Sequence, residues 1–337
     1  MSTYRTVFVT ERGLVHQQAA LRDAPPELAV VMLRQPARAE LLAQLADADF
    51  LISERMGVID AELLAAAPRL KLIVRLGSLA YDIDRAAAEA RGVRVVVWPQ
   101  PGVIRVAEHI VLQMLALTKR LREVEAIALA AEDWGPSRRT DEDTFAYNWS
   151  GRQGLGGLAD QAVGILGFGE IGAELARRLR GWECCVSYHR RRRLPAEVEA
   201  ELGVTYATRD ATLAGSDFVV NLLPYFPETD LTLGAAAFGQ MRRGAFLVSC
   251  GSGSVIDEAT LAEAVRSGQL GGAALDTYEW EPLRADNPLR RLAVEEPRAN
   301  VLLTPHIAAG AARAGERSSR RRDYEPIMRY LQSMSDG

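Results

Sequence analysis

The sequence predicts an α/β protein built from two doubly wound parallel-sheet domains. Three observations predict it. The chain has 337 residues, enough for two separate cores. Short β-branched runs alternate with helical segments in two successive series, the pattern of parallel sheets covered by helices. A glycine pattern also stands at the strand-to-helix turn that opens the second series.

The totals exclude several classes. Lys plus Arg number 40 against 44 Asp plus Glu, a net charge of −4, so no basic field directs the chain to nucleic acid or an anionic membrane. Cys184, Cys185 and Cys250 cannot all pair internally and lack metal-ligand spacing; they read as buried, reduced thiols, and no metal is expected. No apolar run approaches the roughly 18 residues of a membrane span, and the N-terminus has no long apolar leader core. A cytoplasmic protein is expected.

In the first series Thr6–Thr10, Val30–Leu33, Phe50–Ser53, Leu72–Leu76 and Val93–Val97 read as strands, with helical segments such as Ala37–Leu45 and Ala61–Ala67 between them. A long helix follows Pro101-Gly102. In Val106–Leu121 the apolar residues Val106, Ile110, Met114, Leu117 and Leu121 recur at helical spacing, with basic residues gathered at the end where they complement the helix dipole. This helix is expected to bridge the domains. From Glu132 to Asp160 the pattern is lost in a charged, Gly-rich, aromatic stretch; it reads as a surface loop, with a contribution of Tyr147 or Trp149 to a cleft or subunit interface as the alternative. The second series gives strands at Ala162–Leu166, Cys185–Tyr188, Val204–Tyr206, Phe218–Leu222, Ala245–Ser249, Ala273–Leu275 and Val301–Leu303. The Ala- and Arg-rich tail, Ala308–Leu331, reads as helical and is expected to pack back on the first domain. The boundaries expected are 1–103 with 308–337 for one domain and 104–307 for the other.

The glycine pattern is Gly167-Phe168-Gly169-Glu170-Ile171-Gly172, directly after the run Ala162–Leu166 and before the helix-forming Ala173–Arg180. In such a unit the first Gly makes the tight turn, the second lets the backbone approach a pyrophosphate, and the third permits close helix–strand packing. The positive end of the new helix then holds the phosphates. Dinucleotide domains usually place a carboxylate about 20 residues on, for the ribose hydroxyls. Here the strand ends in His189-Arg190-Arg191-Arg192-Arg193. Guanidinium groups suit a 2′-phosphate, so NADP is favoured over NAD, with His189, Arg190 and Arg191 as contacts. A solvated basic loop is the alternative.

Several further segments carry a resemblance: RVAEHIVLQMLAL, LPYFPET, MRRGAFLVSCGSGSVIDEATLAEAVRSGQLGGAALDTYEWEPL, LLTPHIAAG and RLGSLAYDID, in order along most of the chain. Together with VGILGFGEIG they resemble the D-isomer-specific 2-hydroxyacid dehydrogenases, a family that includes formate and phosphite dehydrogenases. The resemblance implies a Rossmann-type nucleotide domain and a flavodoxin-like substrate domain. It also implies a homodimer formed through the nucleotide domains, with the Glu132–Asp160 stretch wrapping the neighbour. It makes His306 the acid/base in hydride transfer between NAD(P) and a small 2-keto or 2-hydroxy acid, with Glu281 paired to it. An imidazole partnered by a carboxylate is a competent acid near neutral pH. Leu223, Pro224, Thr229, Cys250 and Gly251 are implied cofactor contacts. Asp276 is implied to face the nicotinamide carboxamide, with a plain capping role as the alternative.

Two departures stand out. The family pattern N-x-x-R-G is here Ser249-Cys250-Gly251-Ser252-Gly253, so Ser252 replaces the Arg that binds the substrate carboxylate. Loss of such a contact commonly costs about 2–5 kcal/mol, roughly 30- to 5,000-fold. The substrate-loop pattern R-x-G-x-G-x-D-x-x-D is here Arg75-Leu76-Gly77-Ser78-Leu79-Ala80-Tyr81-Asp82-Ile83-Asp84, with Leu79 for the second Gly, so a different loop shape and a narrower pocket are expected around Gly77, Ser78 and Leu79. Arg105, or Arg75, is a candidate to replace the missing guanidinium. Three functions stay open: a D-2-hydroxyacid dehydrogenase with an unusual anchor; a dehydrogenase of another small substrate, such as an aldehyde, ketone or non-standard acid; and a nucleotide-binding protein with little turnover.

Overall fold

The first series of apolar runs forms a five-stranded parallel sheet in the computed structural model, which describes residues 3–54, 57–130, 132–145, 147–310 and 319–335. Its elements are β1 (Tyr4–Thr10), α1 (Leu14–Arg22), β2 (Leu28–Arg34), α2 (Arg38–Leu45), β3 (Phe50–Glu54), α3 (Ala61–Ala65), β4 (Leu72–Leu76), α4 (Arg85–Ala90) and β5 (Arg94–Trp98). The strand order β2-β1-β3-β4-β5 is the flavodoxin-like order. Alternation of side chains along each strand supplies both faces. Val7, Val9, Leu51 and Ile73 pack with Leu41, Leu45, Leu63 and Leu64 from the helices, while Phe8, Phe50, Ile52, Leu72 and Val74 pack with Ala20, Tyr324 and Ile327. The C-terminal helix Glu325–Ser335 therefore packs on the second face.

A buried charge cluster pins that C-terminal segment. Arg320 donates to Glu54 at the end of β3 (3.1 Å) and to Asp323, and Glu54 also accepts from Thr10 Oγ1 (2.9 Å) and Arg12 Nε (2.5 Å). Burial alone would raise the Glu54 carboxyl; Arg320 and Arg12 outweigh it and hold the group below its ordinary range. Among the described residues the tail is α-helical only from Glu325. Ala308–Gly310 form a turn, 311–318 lie outside the described residues, Arg321–Tyr324 make one 3-10 turn, and the helix begins only at Glu325.

The second unit spans Gly102–Gly310, and the first comprises Met1–Pro101 with Ala311–Gly337. In the second, α5 (Pro101–Thr118) and α6 (Leu121–Ala130) precede β6 (Ala162–Leu166), α7 (Glu170–Leu179), β7 (Cys185–His189), α8 (Ala196–Leu202), β8 (Val204–Tyr206), α9 (Arg209–Gly215) and β9 (Phe218–Asn221). Then come α10 (Ala235–Gln240), β10 (Ala245–Ser249), α11 (Glu258–Arg266), β11 (Leu270–Leu275), α12 (Pro288–Glu295) and β12 (Val301–Leu303). All pairings are parallel, in the order β12-β11-β10-β9-β6-β7-β8. Without its edge strand β12 this is the doubly wound dinucleotide-binding order, whose direction reverses between β6 and β9.

The helix expected over Val106–Leu121 is α5, which stops at Thr118, and Leu121 instead begins α6. Arg120 adopts φ +49 and breaks the run, its guanidinium donating to Glu123 Oε2 (2.5 Å) and the Arg298 carbonyl (2.6 Å). Charge complementing a helix end and charge inside a continuous helix look alike in sequence, which hid the break. None of the ten residues of α6 is buried. The described residues between α6 and Asp160 contain no helix or strand. Cys185 is exposed rather than buried, because it begins a strand near the sheet edge. Among the described residues no helix is long and apolar enough to cross a membrane, and no group of three or more His, Cys, Asp or Glu side chains is arranged to hold a metal.

Candidate active site

The point where the strand order reverses is closed by backbone contact. Gly167 ends β6 at φ +83, and a Cβ there would stand 2.7 Å from the Leu222 and Leu223 backbone, so both conformation and space demand glycine. Its N–H donates to the His189 carbonyl (3.0 Å), tying the turn to the end of β7. Phe168 turns inward, buried against Tyr188 (ring centroids 4.7 Å) and over Gly172. Gly169 precedes α7 and faces open space, so the positive end of that helix, Glu170-Ile171-Gly172, is reachable by an anion. The opposite lip is the turn after β9. Thr229 Oγ1 donates to the Pro224 carbonyl (2.9 Å) and accepts from the Phe226 N–H (2.8 Å), while the Leu223 carbonyl accepts from Ser252 N–H (2.8 Å).

At the end of β7 the basic run divides by role. His189 Nδ1 donates to the Ala207 carbonyl (3.1 Å), which fixes its ring. Arg193 forks onto Glu199 (2.9 and 2.7 Å), so its charge belongs to the fold. Arg191 lies over the Phe226 ring (5.3 Å to the centroid), reaching the loop after β9. Arg190 is half-buried beside it, and no carboxylate stands in His189–Arg193. Glycine turn, helix end and guanidinium groups together fit a dinucleotide.

The loop that carries His306 is built on one buried carboxylate. Asp276, at the end of β11, accepts from Thr304 Oγ1 (2.6 Å) and the Ile307 N–H (2.9 Å) on Oδ1, and from the Ala308 N–H (2.8 Å) on Oδ2. These bonds knot the loop after β12 around His306, which adopts φ +53 and is exposed. His306 Nδ1 meets Glu281 Oε2 at 2.7 Å, and the other Glu281 oxygen accepts from the Tyr278 N–H (3.0 Å). A carboxylate only accepts, so Nδ1 carries a proton and Nε2 is the ring atom left for proton exchange. The carboxylate implied for the cofactor thus serves the loop that carries His306.

His109 is a residue the sequence reading quoted but did not assign. Thr304 gives its hydroxyl proton to Asp276 and so accepts from His109 Nε2 (3.1 Å). One turn on, Gln113 accepts from the Cys250 thiol (3.5 Å), whose ionisation burial and then Asp276 push up. One turn back is Arg105, exposed along the same stripe of α5. The i, i+4, i+8 spacing of these three polar residues was the available signal.

Ser252 is half-buried in the loop after β10, and among the described residues its hydroxyl has no hydrogen-bond partner. That loop is stitched to the Glu281 segment. Thr277 Oγ1 donates to the Gly251 carbonyl (2.6 Å), and a Cβ on Gly253 would overlap the Tyr278 carbonyl carbon at 1.9 Å. In the other unit Gly77 bonds the Trp98 carbonyl (3.1 Å), Ser78 is buried, and Leu79 keeps a negative φ with its side chain buried. Arg75 is buried and ion-paired with Asp82 of its own loop. Burial raises the Asp82 carboxyl, and Arg75 partly offsets that.

A family model for the NAD-binding domain of D-isomer specific 2-hydroxyacid dehydrogenases matches residues 111–308. The chain belongs to this family. It is 34% identical over 312 residues to a D-3-phosphoglycerate dehydrogenase of Mycobacterium leprae, covering 93% of the chain and 54% of the relative. It therefore spans about half the length of the phosphoglycerate dehydrogenases it matches. A glyoxylate reductase of Thermococcus kodakarensis is 34% identical over 286 residues, covering 84% of the chain and 80% of the relative. A crystal structure of a Pyrococcus horikoshii protein superposes with TM-score 0.57 at 26% identity, covering 96% and 92% of the two chains.

The cradle makes a direct prediction for this member of the family. Gly167→Ala forces a methyl group into the Leu222–Leu223 backbone, and strain of about 1–3 kcal/mol should weaken dinucleotide binding roughly 10-fold or more. NADH and NADPH fluorescence titration checks it, and unchanged affinity for both would contradict the cradle.

Proposed function

We propose that the protein is an NAD(P)-dependent oxidoreductase interconverting a small 2-keto acid and its D-2-hydroxy acid. The observation that carries this reading is the His306–Glu281 pair on a loop tied to Asp276, at the strand ends of a dinucleotide-type sheet. The glycine turn and the first turn of α7 would hold the pyrophosphate. The nicotinamide, when bound, supplies or takes the hydride. His306 gives its Nε2 proton to the carbonyl oxygen in reduction and takes it back in oxidation, while Glu281 holds the ring and balances the imidazolium charge. Arg190 and Arg191, in a run His189–Arg193 that contains no carboxylate residue, favour NADP over NAD.

Ser252 supports a second reading, a dehydrogenase of a substrate needing no carboxylate clamp, such as an aldehyde or ketone. Assembly is proposed as a homodimer through the nucleotide unit. It is supported by α6, wholly outside the core, and by the exposed Trp134, Phe145, Tyr147 and Trp149.

Steady-state absorbance of NADH and NADPH across 2-keto acids, aldehydes and ketones tests the reaction. We expect 2-keto acid turnover with NADPH preferred, and His306→Gln to lower kcat about 100-fold or more at unchanged cofactor affinity. Turnover confined to aldehydes or ketones would favour the second reading, a preference for NADH would overturn the cofactor assignment, and tight binding without turnover would point to a nucleotide sensor. Light scattering should give twice the 36.8 kDa chain mass, and a monomer would overturn the dimer.

A further inference from the structure

We propose that Arg105 is the anion anchor of the site, taking the substrate carboxylate that Ser252 cannot hold; this rests on the 2-keto acid reading above. A serine hydroxyl offers one neutral hydrogen bond, whereas a planar guanidinium offers two parallel donors and a full charge. Four other arginines near these segments are committed. Arg75 is buried against Asp82, Arg193 is forked onto Glu199, Arg120 binds Glu123 and the Arg298 carbonyl, and Arg122 binds the Val301 and Ala293 carbonyls (2.6 and 3.1 Å). Arg105 is exposed, and among the described residues it has no hydrogen-bond or ion-pair partner.

Its position is set by the loop that carries the acid/base. A Cβ on Gly310 would lie 2.6 Å from Arg105 Nη1, 3.1 Å from Cδ and 3.3 Å from Cζ, so the side chain rests on the backbone four residues beyond His306. Gly310 has φ +110, and a Cβ on Gly102, three residues before Arg105, would be 3.9 Å from Ala309 Cβ. The first turn of α5 therefore runs along the His306 loop. One turn further, His109 binds Thr304 of that same loop. Arg105 and His306 are thus held by one piece of the fold, on the same unit, through contacts that do not involve the Ser252 loop. A cation so placed can orient a 2-keto acid by its carboxylate and leave the keto oxygen to His306. The fork distinguishes Arg105 from a lysine at the same place, which would supply charge without the paired geometry.

The test uses oxamate, an unreactive 2-keto acid isostere, titrated into the full-length protein saturated with its preferred reduced cofactor, read by nicotinamide fluorescence and calorimetry. Arg105→Ala should weaken oxamate about 30-fold or more and raise KM for glyoxylate or pyruvate to match, leave the cofactor Kd unchanged, and be rescued only in part by Arg105→Lys. Adding Ser252→Arg to Arg105→Ala should restore oxamate binding. Oxamate affinity within about 3-fold of wild type in Arg105→Ala, or equal loss of cofactor and oxamate, would overturn the anchor. Arg105-dependent oxamate binding without turnover would keep the anchor and overturn the dehydrogenase reading. Turnover that ignores Arg105 would do the reverse, and wild type that neither binds oxamate nor reduces any 2-keto acid would overturn both.

Discussion

The buried carboxylate of Asp276 is the interaction on which the site depends. It accepts hydrogen bonds from Thr304, Ile307 and Ala308 across 28 to 32 residues of sequence, and between those attachment points stands His306 in a left-handed conformation. A non-glycine residue at positive φ persists only where its surroundings over-determine it. Here the surroundings are the Asp276 oxygens, the Thr304 carbonyl that takes the His306 N–H (3.0 Å), and the Glu281 carboxylate on the ring. Charge-assisted bonds to backbone N–H groups are among the stronger ones available to a protein, and burial removes competition from water. The loop is consequently stiff where the ring must be aimed and open where the ring meets solvent.

Around this knot the chain has the strand order and the glycine turn of a dinucleotide-binding unit, within a family-model match to D-isomer specific 2-hydroxyacid dehydrogenases. The proton-transfer role proposed for His306 and Glu281 rests on their contact at 2.7 Å. The motif segments depart from the family pattern at Ser252 and, in the other unit, at Leu79, where buried Arg75 is already matched by the half-buried Asp82 carboxylate. Breaking a buried pair leaves an uncompensated charge, which commonly costs about 3–5 kcal/mol, so Arg75 is poorly suited to leave Asp82 for a substrate. That asymmetry moves attention to Arg105, on the unit that also carries His306.

How much was legible in the sequence follows from the range of each force. The strands were legible because their apolar runs are local and β-branched, as in Val163–Leu166 and Phe218–Val220. The glycine turn was legible because Gly167 and Gly172 each answer a fixed geometric demand. The break at Arg120 was not, since a positive φ stabilised by a carbonyl at Arg298 leaves no local mark. The tail is helical from Glu325 as expected, but the described residues just before it are not, for a related reason: Arg320 is drawn into a buried cluster with Glu54, 266 residues away, and Arg321–Tyr324 make a 3-10 turn. The bond of His109 to Thr304 left no local mark, and the bonds of Asp276 to Thr304, Ile307 and Ala308 answer to the capping role that stood as its alternative. The His306–Glu281 pair was named from motif resemblance, and the structure brings those two side chains together.

The central claim is that Asp276 works by holding the His306 loop. Asp276→Asn keeps shape but replaces one acceptor oxygen by an NH2 group that faces either the Thr304 hydroxyl and the Ile307 N–H or the Ala308 N–H. The most direct measurement is kcat at saturating cofactor alongside cofactor Kd in this variant. The account predicts a fall in kcat of about 100-fold with cofactor affinity within about 3-fold of wild type. Loss of cofactor affinity with kcat preserved would contradict it and return Asp276 to the nicotinamide.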